Sequence, residues 1–131
     1  MARVVKLLAA GLTIALLTAF SSSVTVSVNV VSSTDPQADM AKVVSVLKGL
    51  GFTSAAVSQF APKGARGFRA YPGQFTVVAA EADKRRVTIS FSEGADKFSS
   101  RAKTTYADMV RSLRTQFGAA RVEDLGISAS E

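Results

Sequence analysis

The chain has 131 residues, a net charge of +6, and no cysteine, histidine or tryptophan. Without cysteine there is no disulfide framework, thiolate metal site or thiol nucleophile, and without histidine the commonest general base and metal ligand is gone. The length suits one small domain built on a single core.

At the start, Arg3 and Lys6 precede an apolar run of fourteen residues from Leu7 to Phe20, which Ser21-Ser22-Ser23 ends. A positive lead, an apolar stretch of this length and a small-residue boundary are the three parts of an export signal. A spanning helix needs about 20 apolar residues, so this run is short for a permanent anchor. Residues 1–21 are therefore expected to export the chain to the bacterial periplasm or cell envelope. If uncleaved, the run from Leu7 to Phe20 becomes a membrane contact instead. Removing residues 1–21 from 131 leaves 110, and the loss of Arg3 and Lys6 lowers the charge from +6 to +4.

Leu17-Thr18-Ala19 resembles the end of a bacterial lipoprotein leader, where an invariant cysteine follows, and Phe20 stands at that position. The resemblance implies kinship with small envelope lipoproteins. Without a thiol, however, no lipid can be attached at Phe20. The likeness covers the leader and carries over no functional residue.

After the leader, Val24, Val26, Val28 and Val30 alternate with Thr25, Ser27 and Asn29, the period of a half-buried strand. Thr34-Asp35-Pro36 then starts a helix, because Asp35 can accept from the free amides and Pro36 suits the first turn. Met40, Val43, Val44, Leu47 and Leu50 are expected on its buried face, and Gly49 and Gly51 at its end. Residues 52–60 read as a short strand through Val57 and Phe60, weakened by Ala55-Ala56 and the serines.

Residues 61–73 hold three glycines, two prolines, three basic residues and two aromatics. That density marks a loop, and thirteen residues is long for a connection in a small domain. Lys63, Arg66, Phe68, Arg69 and Tyr71 are the candidate contact residues. The cations would face an anionic surface, Arg66 and Arg69 foremost because guanidinium makes two-point contacts with phosphate or carboxylate. Phe68 and Tyr71 would add stacking. The plainer reading is a solvated loop with Phe68 folded back onto the sheet.

Residues 74–92 form a hairpin, with Phe75, Val77 and Ala79 alternating in one strand and Val87, Ile89 and Phe91 in the other. A three-residue turn from Asp83 to Arg85 sets Val77 against Phe91 and Ala79 against Ile89, uniting the apolar faces. A two-residue turn would separate them. Lys84-Arg85-Arg86 decorates the tip. The tip and the loop 61–73 are expected at opposite ends of the strand, about 25 Å apart, which argues against a continuous nucleic-acid stripe.

A second helix from Lys97 to Phe117 carries the apolar stripe Phe98, Ala102, Tyr106, Met109, Val110, Leu113 and Phe117. Arg121 to Leu125 adds an edge strand. The order β-α-β-β-β-α-β predicts an α+β domain over residues 22–131, a mainly antiparallel sheet with two helices on one face. A ferredoxin-like or related arrangement satisfies every apolar face.

Ser45-Val46-Leu47-Lys48 and Ser100-Arg101-Ala102-Lys103 fit Ser-x-x-Lys, but the other elements of penicillin-recognising enzymes are missing. The acidic pairs Glu81/Asp83, Glu93/Asp96 and Glu123/Asp124 fall at strand ends and turns, where carboxylates are solvated. No phosphate loop or calcium-ligand spacing occurs. The expectation is a non-enzyme without cofactor or metal. It would bind or modulate an envelope protein, or alternatively an anionic polymer or lipid headgroup through residues 61–73.

Overall fold

The structure, a computed structural model, describes residues 23–32, 35–70, 75–83 and 85–127. The expected export signal, Thr34, Tyr71 and Lys84 lie outside the described residues. The chain runs β1 (Val24–Val31), α1 (Pro36–Gly49), β2 (Thr53–Ala55), β3 (Arg66–Ala70), β4 (Phe75–Asp83), β5 (Arg86–Glu93), α2 (Ser100–Phe117), a 3-10 turn (Ala119–Arg121) and β6 (Val122–Ile127). The six strands make one antiparallel sheet in the order β2-β3-β4-β5-β1-β6. The α+β class expected from the sequence is the observed one.

Each central strand buries alternate residues. Val24, Val26, Val28 and Val30 in β1, Val87, Ile89 and Phe91 in β5, and Phe75, Val77 and Ala79 in β4 all point toward the helices. α1 packs over β4 and β5, α2 over β1 and β6, and the two helices touch. The other sheet face carries short polar side chains bonded across strands, Thr25 with Ser92 at 2.9 Å and Thr88 with Asn29 at 2.7 Å. Leaving out β2 and β3, the remainder is β-α-β-β-α-β with its strands ordered β4-β5-β1-β6, the ferredoxin-like interleaving of two split units.

Local chemistry places the helix ends. Asp35 accepts from the Gln37 amide at 3.0 Å and Pro36 opens α1. At the other end Gly51 has φ 95°, its amide donates to Lys48 O, and the Phe52 amide donates to Leu47 O. This paired closure leaves Phe52 and Leu47 both buried, the apolar contact that accompanies it. Leu50, expected in the core, is instead the half-exposed cap residue. The α2 stripe is buried throughout, and Ser99 caps that helix by accepting from the Ala102 amide.

Two further expectations change. The β4–β5 register is the expected one, with Val77 opposite Phe91 and Ala79 opposite Ile89, but Asp83 pairs with Arg86. A bulge between Glu81 and Asp83 absorbs the odd residue, so a two-residue turn coexists with united apolar faces. The loop of residues 61–73 is also shorter than its composition implies. Its residues 66–70 are β3, paired with β2 on one side and β4 on the other, which makes the order β-α-β-β-β-β-α-β among the described residues.

Candidate functional site

The β2–β3 hairpin projects from the ferredoxin-like core as its outermost pair. Thr53 pairs with Arg69, Ser54 with Phe68 and Ala55 with Gly67. Residues 56–65 connect the strands through two successive turns. The Ala61 amide donates to Ser58 O and the Ala65 amide to Pro62 O, both at 3.0 Å. Ser58 Oγ also accepts from the Phe60 amide at 3.1 Å. Gly64, at φ 83°, fits the third position of the second turn, where a left-handed residue is required. This connection is built, not slack.

Among the candidates, Phe68 is 1% exposed and packs into the core, so it offers no ring to a partner. Its role as a contact residue is corrected on that ground: strand alternation turns it toward the helices, opposite Val77. Arg66 and Arg69 are both exposed, but three residues apart on a strand they face opposite sides. Lys63 is exposed in the second turn. Tyr71 lies outside the described residues. Arg66 thus begins β3 directly after the connection that carries Lys63, while Arg69 lies further along the strand on its other face.

The geometry also overturns the expected separation from the basic tip. Arg66 is level with Ala79, and β4 runs on from there to Asp83. The connection 56–65 therefore leaves the sheet toward the same end as the β4–β5 turn, because the unforeseen β3 reverses the chain.

Phe60 was not among the sequence candidates. It is 86% exposed, the most exposed of the large apolar residues described. Reading it as a strand residue hid it, whereas Ser58-Gln59-Phe60 is a turn. A second signal was present in the sequence. Between Asp39 and Glu81 there is no acidic residue, while Lys42, Lys48, Lys63, Arg66 and Arg69 all fall there. Among the described residues, no carboxylate pairs with Lys63, Arg66 or Arg69.

Elsewhere, polar groups are committed to holding the fold. Glu93 accepts from the Ser99 amide at 2.7 Å and from Ser99 Oγ at 2.8 Å, tying β5 to the start of α2. Asp39 accepts from Arg121 at 2.7 Å. Glu123 pairs with Arg86. A shallow groove of about 330 Å³ between α2 and β6 is lined by Tyr106, Ala107, Val110, Arg111, Arg114 and Asp124. Its Tyr106 hydroxyl donates to Asp124, and Arg111 is bonded to Asp108. Burial, with Asp124 adding to it, pushes the Tyr106 phenol well above its ordinary range. Ser45, Lys48, Ser100 and Lys103 of the Ser-x-x-Lys pairs are exposed on helices. Among the described residues no group of three or more His, Cys, Asp or Glu is placed to hold a metal, and no helix is long and apolar enough to cross a membrane.

No protein-family model matches this chain, and no curated protein shows significant similarity to it.

Proposed function

We infer that this protein is a non-enzymatic interaction module of the bacterial cell envelope, exported by residues 1–21, that contacts its partner through the β2–β3 connection. The observation that carries the reading is Phe60, exposed on a hydrogen-bonded turn of the same connection that carries Lys63 and leads into Arg66. An exposed ring fixed in this way forgoes about 1.5–3 kcal/mol of burial, a cost that a contact would recover. Both sheet edges are blunted against strand addition. β2 has three residues, and β6 is bulged against β1. The connection is therefore a better contact than either edge. A non-catalytic reading is supported by the roles of Glu93, Asp39 and Asp124, which hold other parts of the chain.

The partner presents negative charge. In the leading reading it is an acidic face of an envelope protein. The second reading, an anionic polymer or lipid headgroup, is favoured by the acid-free stretch between Asp39 and Glu81. Recovery of partners from envelope extract, comparing the parent with a Lys63→Ser/Arg66→Ser variant, tests the assignment. Loss of recovery in the variant supports it. Equal recovery by both places the contact elsewhere.

A further inference from the structure

Granting that the β2–β3 connection makes the contact, its chemistry narrows the partner. We propose that Phe60 enters the interface of an anionic phospholipid bilayer while Lys63 and Arg66 sit against headgroup phosphates. A protein hot spot gathers several apolar anchors inside a ring of neighbours that excludes water. Here one ring stands at the tip, flanked by Gln59, Ala61 and Pro62, with Val57 turned back against Gly67. A single apolar tip followed along the chain by exposed cations suits a boundary that is apolar below and anionic above. The connection 56–65 itself carries Lys63 and no carboxylate, and the acid nearest to Arg66 along β4 is Glu81, two residues beyond its partner Ala79.

Orientation adds a condition. β2 runs from Thr53 to Ala55 in the direction that leads away from Val24, because Thr53, Arg69, Thr76, Ser92 and Thr25 share one level. The connection 56–65 thus leaves the sheet away from the start of β1. Only Ser21, Ser22 and Ser23 separate the apolar leader from Val24, a reach of about 10 Å. A retained leader would hold the Val24 end at the membrane and turn Phe60 away. Bilayer contact through Phe60 belongs to the chain whose leader has been removed.

The chain contains no tryptophan, so Phe60→Trp creates a single reporter at the tip. The protein recovered from the producing cell is mixed with phosphatidylcholine vesicles, with and without phosphatidylglycerol. Emission from Phe60→Trp should shift to the blue and be quenched by brominated acyl chains only with phosphatidylglycerol present, and the shift should fade with salt. In co-sedimentation, Lys63→Ser/Arg66→Ser should lower partition at least tenfold, at about fivefold per cation. Phe60→Ser should lower it severalfold. Arg69→Ser, on the opposite face of β3 from Arg66, should cost less than half of what the double change costs on a logarithmic scale.

An unchanged emission spectrum with anionic vesicles overturns the lipid assignment. If Lys63→Ser/Arg66→Ser still abolishes recovery of a protein partner, the contact role of the connection survives and the lipid is wrong. If neither measurement responds, both fall. Binding to neutral vesicles that is insensitive to Phe60→Ser also overturns it, because the apolar leader would then be the membrane contact.

Discussion

Val57 lies against Gly67 so closely that a Cβ on the glycine would come within 2.8 Å of Val57 Cγ1 and of the Ala55 carbonyl oxygen. The contact fixes where the connection 56–65 leaves the sheet. Gly67→Ala should therefore destabilise the fold by about 1–3 kcal/mol, as overpacking does. Adding Val57→Ala should recover part of this and no more, since the backbone oxygen remains in the way. Denaturant midpoints of the two variants check it. A midpoint equal to the parent's would show that the outer hairpin shifts freely.

Arg121 ties the last strand to the first crossover. Its Nε donates to Val31 O at 2.7 Å, its terminal nitrogen meets Asp39 at 2.7 Å, and its guanidinium lies 5.3 Å from the Phe117 ring centre. Asp39 is only 6% exposed, so removing its partner strands a buried carboxylate. Arg121→Met should cost about 3 kcal/mol, and Asp39→Asn made in addition should restore part of the loss. Urea unfolding near neutral pH measures both.

Phe91 meets the rings of Phe75, Phe98 and Tyr106 at 5.6, 6.0 and 5.7 Å between centres. Phe91→Ala should destabilise by about 3–5 kcal/mol. Its neighbour Ser90 is on the polar face, 3.4 Å from Ser27 Oγ, and Ser90→Ala should cost less than about 1 kcal/mol. Similar losses from the two changes would refute the assignment of faces.

Tyr106 gives the stability a pH dependence of definite sign. Burial chiefly, then Asp124, raises its folded pKa above the ordinary 10.0, with Arg114 opposing. The neutral phenol is the form the fold prefers. This contribution is whole below pH 10.0 and is lost as pH rises from there toward the folded pKa. Above pH 10.0, Tyr106→Phe should lose stability less steeply than the parent in parallel denaturant titrations. Identical slopes would mean that the phenol ionises equally well in both states.

The leader yields a separate expectation. Intact mass of protein from the envelope fraction should place the N-terminus near Ser22, without acylation, and Phe20→Cys should restore lipid attachment if the leader descends from a lipoprotein signal. A full-length species that requires detergent would mark the run from Leu7 to Phe20 as an anchor.

Where side-chain periodicity was strong, the sequence could be read. The valine alternation of β1 and the stripe from Phe98 to Phe117 each have one face that must be buried, and a slip of one residue would expose it. β3 was hidden because Arg66-Gly67-Phe68-Arg69-Ala70 has one large apolar residue, and its extended form depends on pairing with β4, a contact no local pattern encodes. Phe60 was misjudged for the opposite reason. Its ring suggests a buried strand, while the Ser58 hydroxyl and backbone make a turn there. Of the candidate site, Lys63 and Arg66 were legible as charges; which side each faces was not, because that follows from β3.

The place of β1 in the sheet constrains how the chain can be made. It precedes the other described strands in sequence, yet its neighbours are residues 86–93 and 122–127, so both of its pairings wait for segments made much later. A chain threaded through a pore from its N-terminus would expose this valine-rich segment, unpaired on one edge until residues 86–93 had passed and on the other until residues 122–127 had. Pairings this distant form late, and an open strand of this pattern invites association with other chains meanwhile. The topology thus postpones completion of the sheet until residues 122–127 have been made. It also makes the interval before β6 arrives the moment of greatest risk of aggregation.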